Sequence, residues 1–212
     1  MKVGDIMSTN VVTVTEDTAV NDAKKIMDAH RIRRLPVMKK DKLVGLVTKH
    51  MLLEAAPSPA TSLNIWELHY LLSKMTVKEI MVKNPFTISP DMPVEEGLQL
   101  GQEKGFGAFP VVDDGRLVGM VTESDIVRMM TRVLGVKEKG KRIDIMVSNK
   151  FGNMKKIMDV LDKSKTVLLS MMTLPPEEWE KQWVVVLRVQ SDDVKPIAED
   201  LKSAGFNVTY VG

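Results

Sequence analysis

The chain repeats itself. Shifting it by 74 residues places Val3, Ile6, Met7, Asn10, Thr13, Asp17, Val20, Pro36, Val37, Leu43, Val44, Gly45, Val47 and Thr48 on Val77, Ile80, Met81, Asn84, Thr87, Asp91, Val94, Pro110, Val111, Leu117, Val118, Gly119, Val121 and Thr122, with no gap. Each copy spells strand, helix, strand, strand, helix: Thr13-Val-Thr or Thr87-Ile-Ser, an amphipathic stretch, a hairpin, then a second helix. In the second copy Phe109-Pro-Val-Val-Asp-Asp-Gly-Arg-Leu-Val-Gly-Met-Val121 reads as two apolar strands joined at Asp114-Gly115, a pair suited to a tight turn with positive φ. A unit this small cannot bury both faces of its sheet alone, so the two copies are expected to pack together.

Thr122-Glu-Ser-Asp125 follows the second hairpin and puts a hydroxyl and a carboxylate three residues apart where a strand becomes a helix. A helix N-terminus offers unpaired N–H groups and positive partial charge to a phosphate, and an Asp one turn in can grip a ribose diol. The same residues also suit a helix cap with a first-turn acid that complements the dipole.

Ile-Met near each start, the Thr-Val or Thr-Ile strand, Leu35-Pro-Val or Phe109-Pro-Val, and Leu-Val-Gly-x-Val-Thr before the final helix together resemble a tandem pair of CBS domains, the Bateman module. The resemblance covers residues 3 to about 132. It implies binding of an adenosine-type ligand (AMP, ADP, ATP or S-adenosylmethionine), with Thr122 on phosphate, Asp125 on the ribose hydroxyls, and Phe109, Pro110 and Thr87 lining the adenine slot. In the family, the segment matching His30-Arg-Ile-Arg-Arg-Leu-Pro36 in one repeat approaches phosphates held by the other. Arg34 is therefore the candidate clamp, since a planar guanidinium suits phosphate oxygens, with a solvated basic loop as the plain alternative.

The first repeat departs from this pattern. Its run is Thr48-Lys-His-Met51, so a thioether stands where the carboxylate should be. A charge-assisted hydrogen bond contributes roughly 1.5–3 kcal/mol, so this change alone weakens a site by one to two orders of magnitude. Thr13, Pro36 and Thr48 accordingly form a weak second site, and the better one belongs to the second repeat.

Ala55-Ala-Pro-Ser-Pro-Ala-Thr-Ser62 cannot continue a helix and is a connector. Leu63, Trp66, Leu68, Leu71 and Leu72 then approach helical spacing, with Ser62 as cap; Trp66 and Tyr70 are expected to pack this helix. Residues 133–141 form a second boundary, a solvated hinge with two glycines and alternating charges. Its G-x-x-x-x-G-K match is not a phosphate loop, because Arg142 stands where a Ser or Thr is needed and a strand follows.

After the hinge the periodicity predicts strand 142–147, helix 152–163, strand 166–173, strand 183–190, helix 194–204 and strand 207–211. That βαββαβ order has the ferredoxin-like plan. It resembles an ACT domain, whose amino-acid site would fall at Gly152 and Asn153; Gly152 equally serves to end the loop and let the helix begin. Pro175-Pro-Glu-Glu-Trp-Glu-Lys181 reads as an acidic connection and a candidate partner contact.

The fold class is thus mixed α/β (α+β), organised as repeat 1 (1–54), linker with helix (55–76), repeat 2 (77–132), hinge (133–141) and ACT-like domain (142–212). Tandem CBS followed by ACT resembles the AcuB-like (acetoin-utilisation) family.

Composition narrows the function. A net charge of +2 does not imply nucleic acid, and zero cysteines exclude disulfides, thiolate metal sites and a Cys nucleophile. There is no long apolar segment or signal peptide, so no membrane role and a cytoplasmic location are expected. His30, His50 and His69 show no paired ligand spacing, no nucleophile elbow occurs, and the carboxylates follow helical surface spacing. Of the 16 methionines, Met27, Met129, Met130 and Met158 are read as helix core. These features are read as a non-catalytic regulatory protein, expected to self-associate through CBS pairs and ACT sheets as a homodimer, that senses an adenosine nucleotide and relays the change to the ACT-like domain or a partner enzyme. The alternatives are a dimerisation scaffold with a vestigial site and an amino-acid sensor.

Overall fold

The computed structural model describes residues 1–55, 74–148, 150–176 and 182–212. The expected linker helix with Trp66 and Tyr70, and the Trp179 connection, lie outside the described residues. Contacts divide the chain into two units, Met1–Ile126 and Val127–Gly212.

In the first unit, repeat 1 supplies β1 (Val14–Thr15), α1 (Val20–Ala29), β2 (Arg34–Lys39), β3 (Lys42–Thr48) and α2 (Lys49–Glu54). Next come α3 (Val77–Ile80) and β4 (Val82–Lys83), then α4 (Val94–Lys104), β5 (Ala108–Asp113), β6 (Arg116–Thr122) and α5 (Glu123–Val133), whose residues from Val127 on belong to the second unit. The β5–β6 hairpin turns where Asp114 (φ 45°) and Gly115 (φ 77°) both adopt the left-handed conformation that an Asp-Gly turn provides. The predicted strand at Thr87-Ile-Ser is reduced to one parallel bridge, Ile88 to Val111.

The repeats exchange their leading segments. β4 pairs with β3 of the first repeat, while Ser8 bridges Met120 on β6 of the second. The backbone bonds follow the same rule: Val77 N–H donates to Thr18 O and Val3 N–H to Met92 O, both at 2.8 Å. Glycine makes the exchange possible. A Cβ on Gly119 would stand 2.5 Å from the Met7 Sδ, and one on Gly45 would collide likewise with the Met81 thioether. Val77 and Met81 therefore join the core built on Leu35, Val37 and Val47. Val3, with Ile6 and Met7 beside it, completes the core on Phe109, Val111 and Val121.

In the second unit β7 (Lys141–Val147), α6 (Asn153–Lys163), β8 (Val167–Leu174), β9 (Trp183–Gln190), α7 (Lys195–Ser203) and β10 (Asn207–Val211) form one sheet in the order β10-β7-β9-β8, antiparallel throughout. The period of two along β7 and β9 puts Ile143, Ile145, Val147, Val185, Leu187 and Val189 in one core with Ile157 and Leu161 of α6 and Ile197 and Leu201 of α7. The stretch between α5 and β7 is tied to this sheet. Ser170 Oγ donates to Leu134 O (3.2 Å) and Arg188 Nη1 to Gly140 O (3.2 Å), and Gly135, at φ 61°, lies buried against the Arg188 side chain.

Met27 is fully buried and Met158 packs on the second unit's core, as their spacing suggests, but Met130 is exposed: α5 is apolar over a wider arc than its own neighbours cover.

Branching at position 119 forces Met7 and the Ser8 bridge aside. Gly119→Val is expected to lose about 1–3 kcal/mol in urea denaturation. Met7→Ala in the same chain should return part of that loss, so the double-mutant cycle reads a non-additive pair.

Candidate functional site

β6 ends at Thr122, and α5 begins at the next residue. Thr122 donates twice to Asp125 Oδ2, from its N–H at 2.9 Å and from its hydroxyl at 2.7 Å. Asp125 is the one buried charged residue among those described, 4% exposed. This is half of a capping box, with the third helical residue reaching back to the cap. The cap and the proposed ligand grip therefore use the same two side chains. At the matching place in repeat 1 the cap runs the other way, the Met51 N–H donating to Thr48 Oγ1 at 3.3 Å, because Met51 has no acceptor to return.

Beside this helix start lies a cavity of about 410 Å³ between α4, α5 and the sheet. Its origin is a difference between the repeats. Gly97 and Gly101 of α4 occupy the positions that Ala23 and Met27 fill in α1, where both are fully buried. Without a methionine at 101, Phe109 advances from β5 to within 3.6 Å of where a Gly101 Cβ would be, and space remains along α4. The wall is mainly apolar, with Val3, Ile6, Ile88, Leu98 and Ile126; Gln102, Thr122 and Glu123 supply polar groups. Phe86 and Phe106 meet the Phe109 ring edge-on at 5.9 and 6.0 Å, and both are partly exposed.

Of the residues singled out from the sequence, Thr122 and Phe109 line this cavity. Pro110 is buried on β5, and its carbonyl accepts from the Ile88 N–H at 3.1 Å, which sets the exposed Thr87 beside that strand. Asp125 sits behind Thr122. Arg34, at the start of β2, reaches across from the first repeat: its Nη2 is 2.7 Å from the point where a Gly107 Cβ would stand, and the Glu123 carboxyl carbon is 3.0 Å from that point. A side chain at 107 would fill the gap in which Arg34 approaches the cavity-lining Glu123. In the first repeat Thr13 is exposed, Pro36 is buried in β2 and Thr48 caps α2, while Met51 packs against the apolar core. In the second unit Gly152 (φ 88°) caps α6, and Asn153 Nδ2 donates to Ser148 O at 2.7 Å, so both serve the loop that starts the helix.

The sequence reading missed Gly97, Gly101, Gly107 and Glu123. The signal was present in the repeat alignment, where they replace Ala23, Met27, Arg33 and Lys49. Among the described residues no group of three or more His, Asp or Glu is placed to hold a metal ion, and no helix is long and apolar enough to cross a membrane.

A CBS domain model matches residues 3–58 and 77–132, more than half of the chain, and the protein belongs to the CBS-domain family with two repeats. A CBS domain-containing protein of Dictyostelium discoideum is 37% identical over 134 residues, covering 62% of this chain and 92% of its own. A homoserine O-acetyltransferase of Methanohalobium evestigatum is 34% identical over 132 residues, but the match spans only 24% of that enzyme. Among solved structures, the CBS domain pair of protein MJ0100 in complex with 5′-methylthioadenosine and S-adenosyl-L-methionine is 31% identical, with a TM-score of 0.52, covering 65% of this chain and 98% of that one. CBSX2, a CBS-pair protein from Arabidopsis thaliana, in complex with AMP is 30% identical (TM-score 0.52; 62% and 97% covered). A protein described as a putative acetoin utilization protein (AcuB) from Vibrio cholerae is 30% identical (TM-score 0.55; 65% and 96% covered).

Two substitutions probe the site without a ligand. Asp125→Ala removes the acceptor of both Thr122 bonds and should cost about 1–3 kcal/mol in denaturant unfolding. Gly97→Ala should instead gain up to about 1 kcal/mol, since Ala favours the helix and its Cβ meets only ordinary contacts at 3.6 and 3.8 Å.

Proposed function

We propose that this protein is a non-catalytic regulator that binds an adenosine-containing ligand at its second CBS repeat. The observation that carries the reading is the open cavity beside Thr122 and Asp125, in the repeat that retains the family's ribose-binding carboxylate. Its volume falls in the range of small-molecule sites, and Gln102, Thr122 and Glu123 supply its few polar side chains. The apolar wall and the Phe106 and Phe109 rings suit a purine. Thr122 and Asp125 are assigned to phosphate and ribose, and Arg34 to the ligand's charged end. Pro110 and Thr87 flank the strand behind the base. The first-repeat set, Thr13, Pro36 and Thr48, stays weak because Met51 accepts no ribose hydroxyl. Solved relatives with AMP, and with S-adenosyl-L-methionine and 5′-methylthioadenosine, support the ligand class.

In this reading the ligand favours one packing of the two repeats, and α5 with the segment after it carries the change onward. Regulation requires unequal affinity for the two packings. The βαββαβ unit is the proposed ACT-like receiver, with self-pairing as its role and Gly152 and Asn153 as loop-forming residues. The protein works as a homodimer in the cytoplasm, and its target is a partner enzyme. The likeness to the Vibrio cholerae protein supports a link to acetoin utilisation.

Calorimetry of ligand-stripped protein with AMP, ADP, ATP, S-adenosylmethionine and 5′-methylthioadenosine tests the proposal. Saturable binding of at least one is expected, weakened about tenfold or more in Asp125→Ala that still melts cooperatively. Failure of the folded wild type to bind any of them would overturn the sensor and leave the scaffold reading.

A further inference from the structure

The two repeats present opposite charge at the first residue of the helix that follows the hairpin. In repeat 1 this is Lys49, whose ammonium bonds Asp28 at 2.5 Å; in repeat 2 it is Glu123, which lines the cavity. Across Gly107 from Glu123 comes the Arg34 guanidinium of the other repeat: Arg34 Nη2 and the Glu123 carboxyl carbon lie 2.7 and 3.0 Å from the point where a Gly107 Cβ would stand. Among the described residues, Gly107 therefore brings a cation and a carboxylate near one another beside the cavity, with a second carboxylate, Asp125, buried behind Thr122.

Such an arrangement does not suit a chain of phosphates. Phosphate oxygens drawn to the α5 N-terminus and to Arg34 also meet the Glu123 carboxylate, and each added negative charge on the ligand raises that repulsion. A 5′ substituent bearing both signs meets complementary partners, its cationic centre toward Glu123 and its carboxylate toward Arg34. Lys104 lies outside the cavity lining, its ammonium over the Phe86 ring, 4.9 Å from the centroid.

We infer that Glu123, with Arg34 near it across Gly107, makes this site selective for adenosine carrying a zwitterionic, sulfonium-type 5′ group over adenosine polyphosphates. The inference rests on the adenosine reading above and names the ligand class within it.

The test titrates the full-length protein with S-adenosylmethionine, ATP and 5′-methylthioadenosine, the last having no charge on its 5′ group. In the wild type S-adenosylmethionine should bind about tenfold or more tighter than ATP. Glu123→Gln, at an exposed position, should weaken S-adenosylmethionine and strengthen ATP by several-fold each, while 5′-methylthioadenosine changes by less than about twofold. Wild-type preference for ATP, or a Glu123→Gln variant with an unchanged preference, would overturn the selectivity while the adenosine reading stands. Absence of binding by all three, 5′-methylthioadenosine included, would overturn the adenosine reading itself, and the selectivity with it.

Discussion

The paired repeats depend on two methionines lying over two glycines. Each hairpin carries a glycine on its second strand, and the methionine that covers it comes from the segment leading into the other repeat. A thioether is long, flexible and polarisable, so it follows bare backbone closely where a branched side chain could not. With Met7 over Gly119, Val3 and Ile6 are drawn into the second core; with Met81 over Gly45, Val77 is drawn into the first. Neither sheet closes its core with its own sequence copy. Val3 and Ile6 also wall the cavity, so the contacts that join the repeats and the contacts open to a ligand involve the same side chains.

On this common frame a few positions decide which repeat is filled and which is open. Ala23 and Met27 make α1 a close-packed partner of its sheet, whereas Gly97 and Gly101 leave α4 standing off from Phe109. Exchange of Met51 for Asp125 turns an apolar contact into a carboxylate that holds its own helix cap. Exchange of Lys49 for Glu123 reverses the charge at the same place. Volume and charge thus change together in one repeat, while the hairpin register that positions them is the same in both, Arg34 opposite Thr48 and Ala108 opposite Thr122.

Much of this was legible without coordinates, and the reasons are local. The Asp114-Gly115 turn, the alternation along β7 and β9 and the Thr122–Asp125 spacing depend on neighbours within a few residues, and each appears where the sequence puts it. The exchanged segments were not legible, because a repeat alignment is equally satisfied whether Met7 covers Gly45 or Gly119. The cavity was missed for a related reason: Gly97 and Gly101 read as weak helix formers, and only the packed Met27 at the equivalent place reveals what is missing. Arg34 was proposed through resemblance, but Glu123 near it was not, since residues of different repeats approach each other there only across the unsubstituted Gly107.

Glycine also explains how the connector after α5 can be both rich in turn residues and fixed. At Gly135 and Gly140 the backbone approaches the β8 and β9 side chains too closely for a Cβ to fit without displacement, and Ser170 and Arg188 bond the carbonyls at its two ends. A segment held this way moves with the sheet to which it is bonded. It is the segment that ties the last turn of α5 to this sheet.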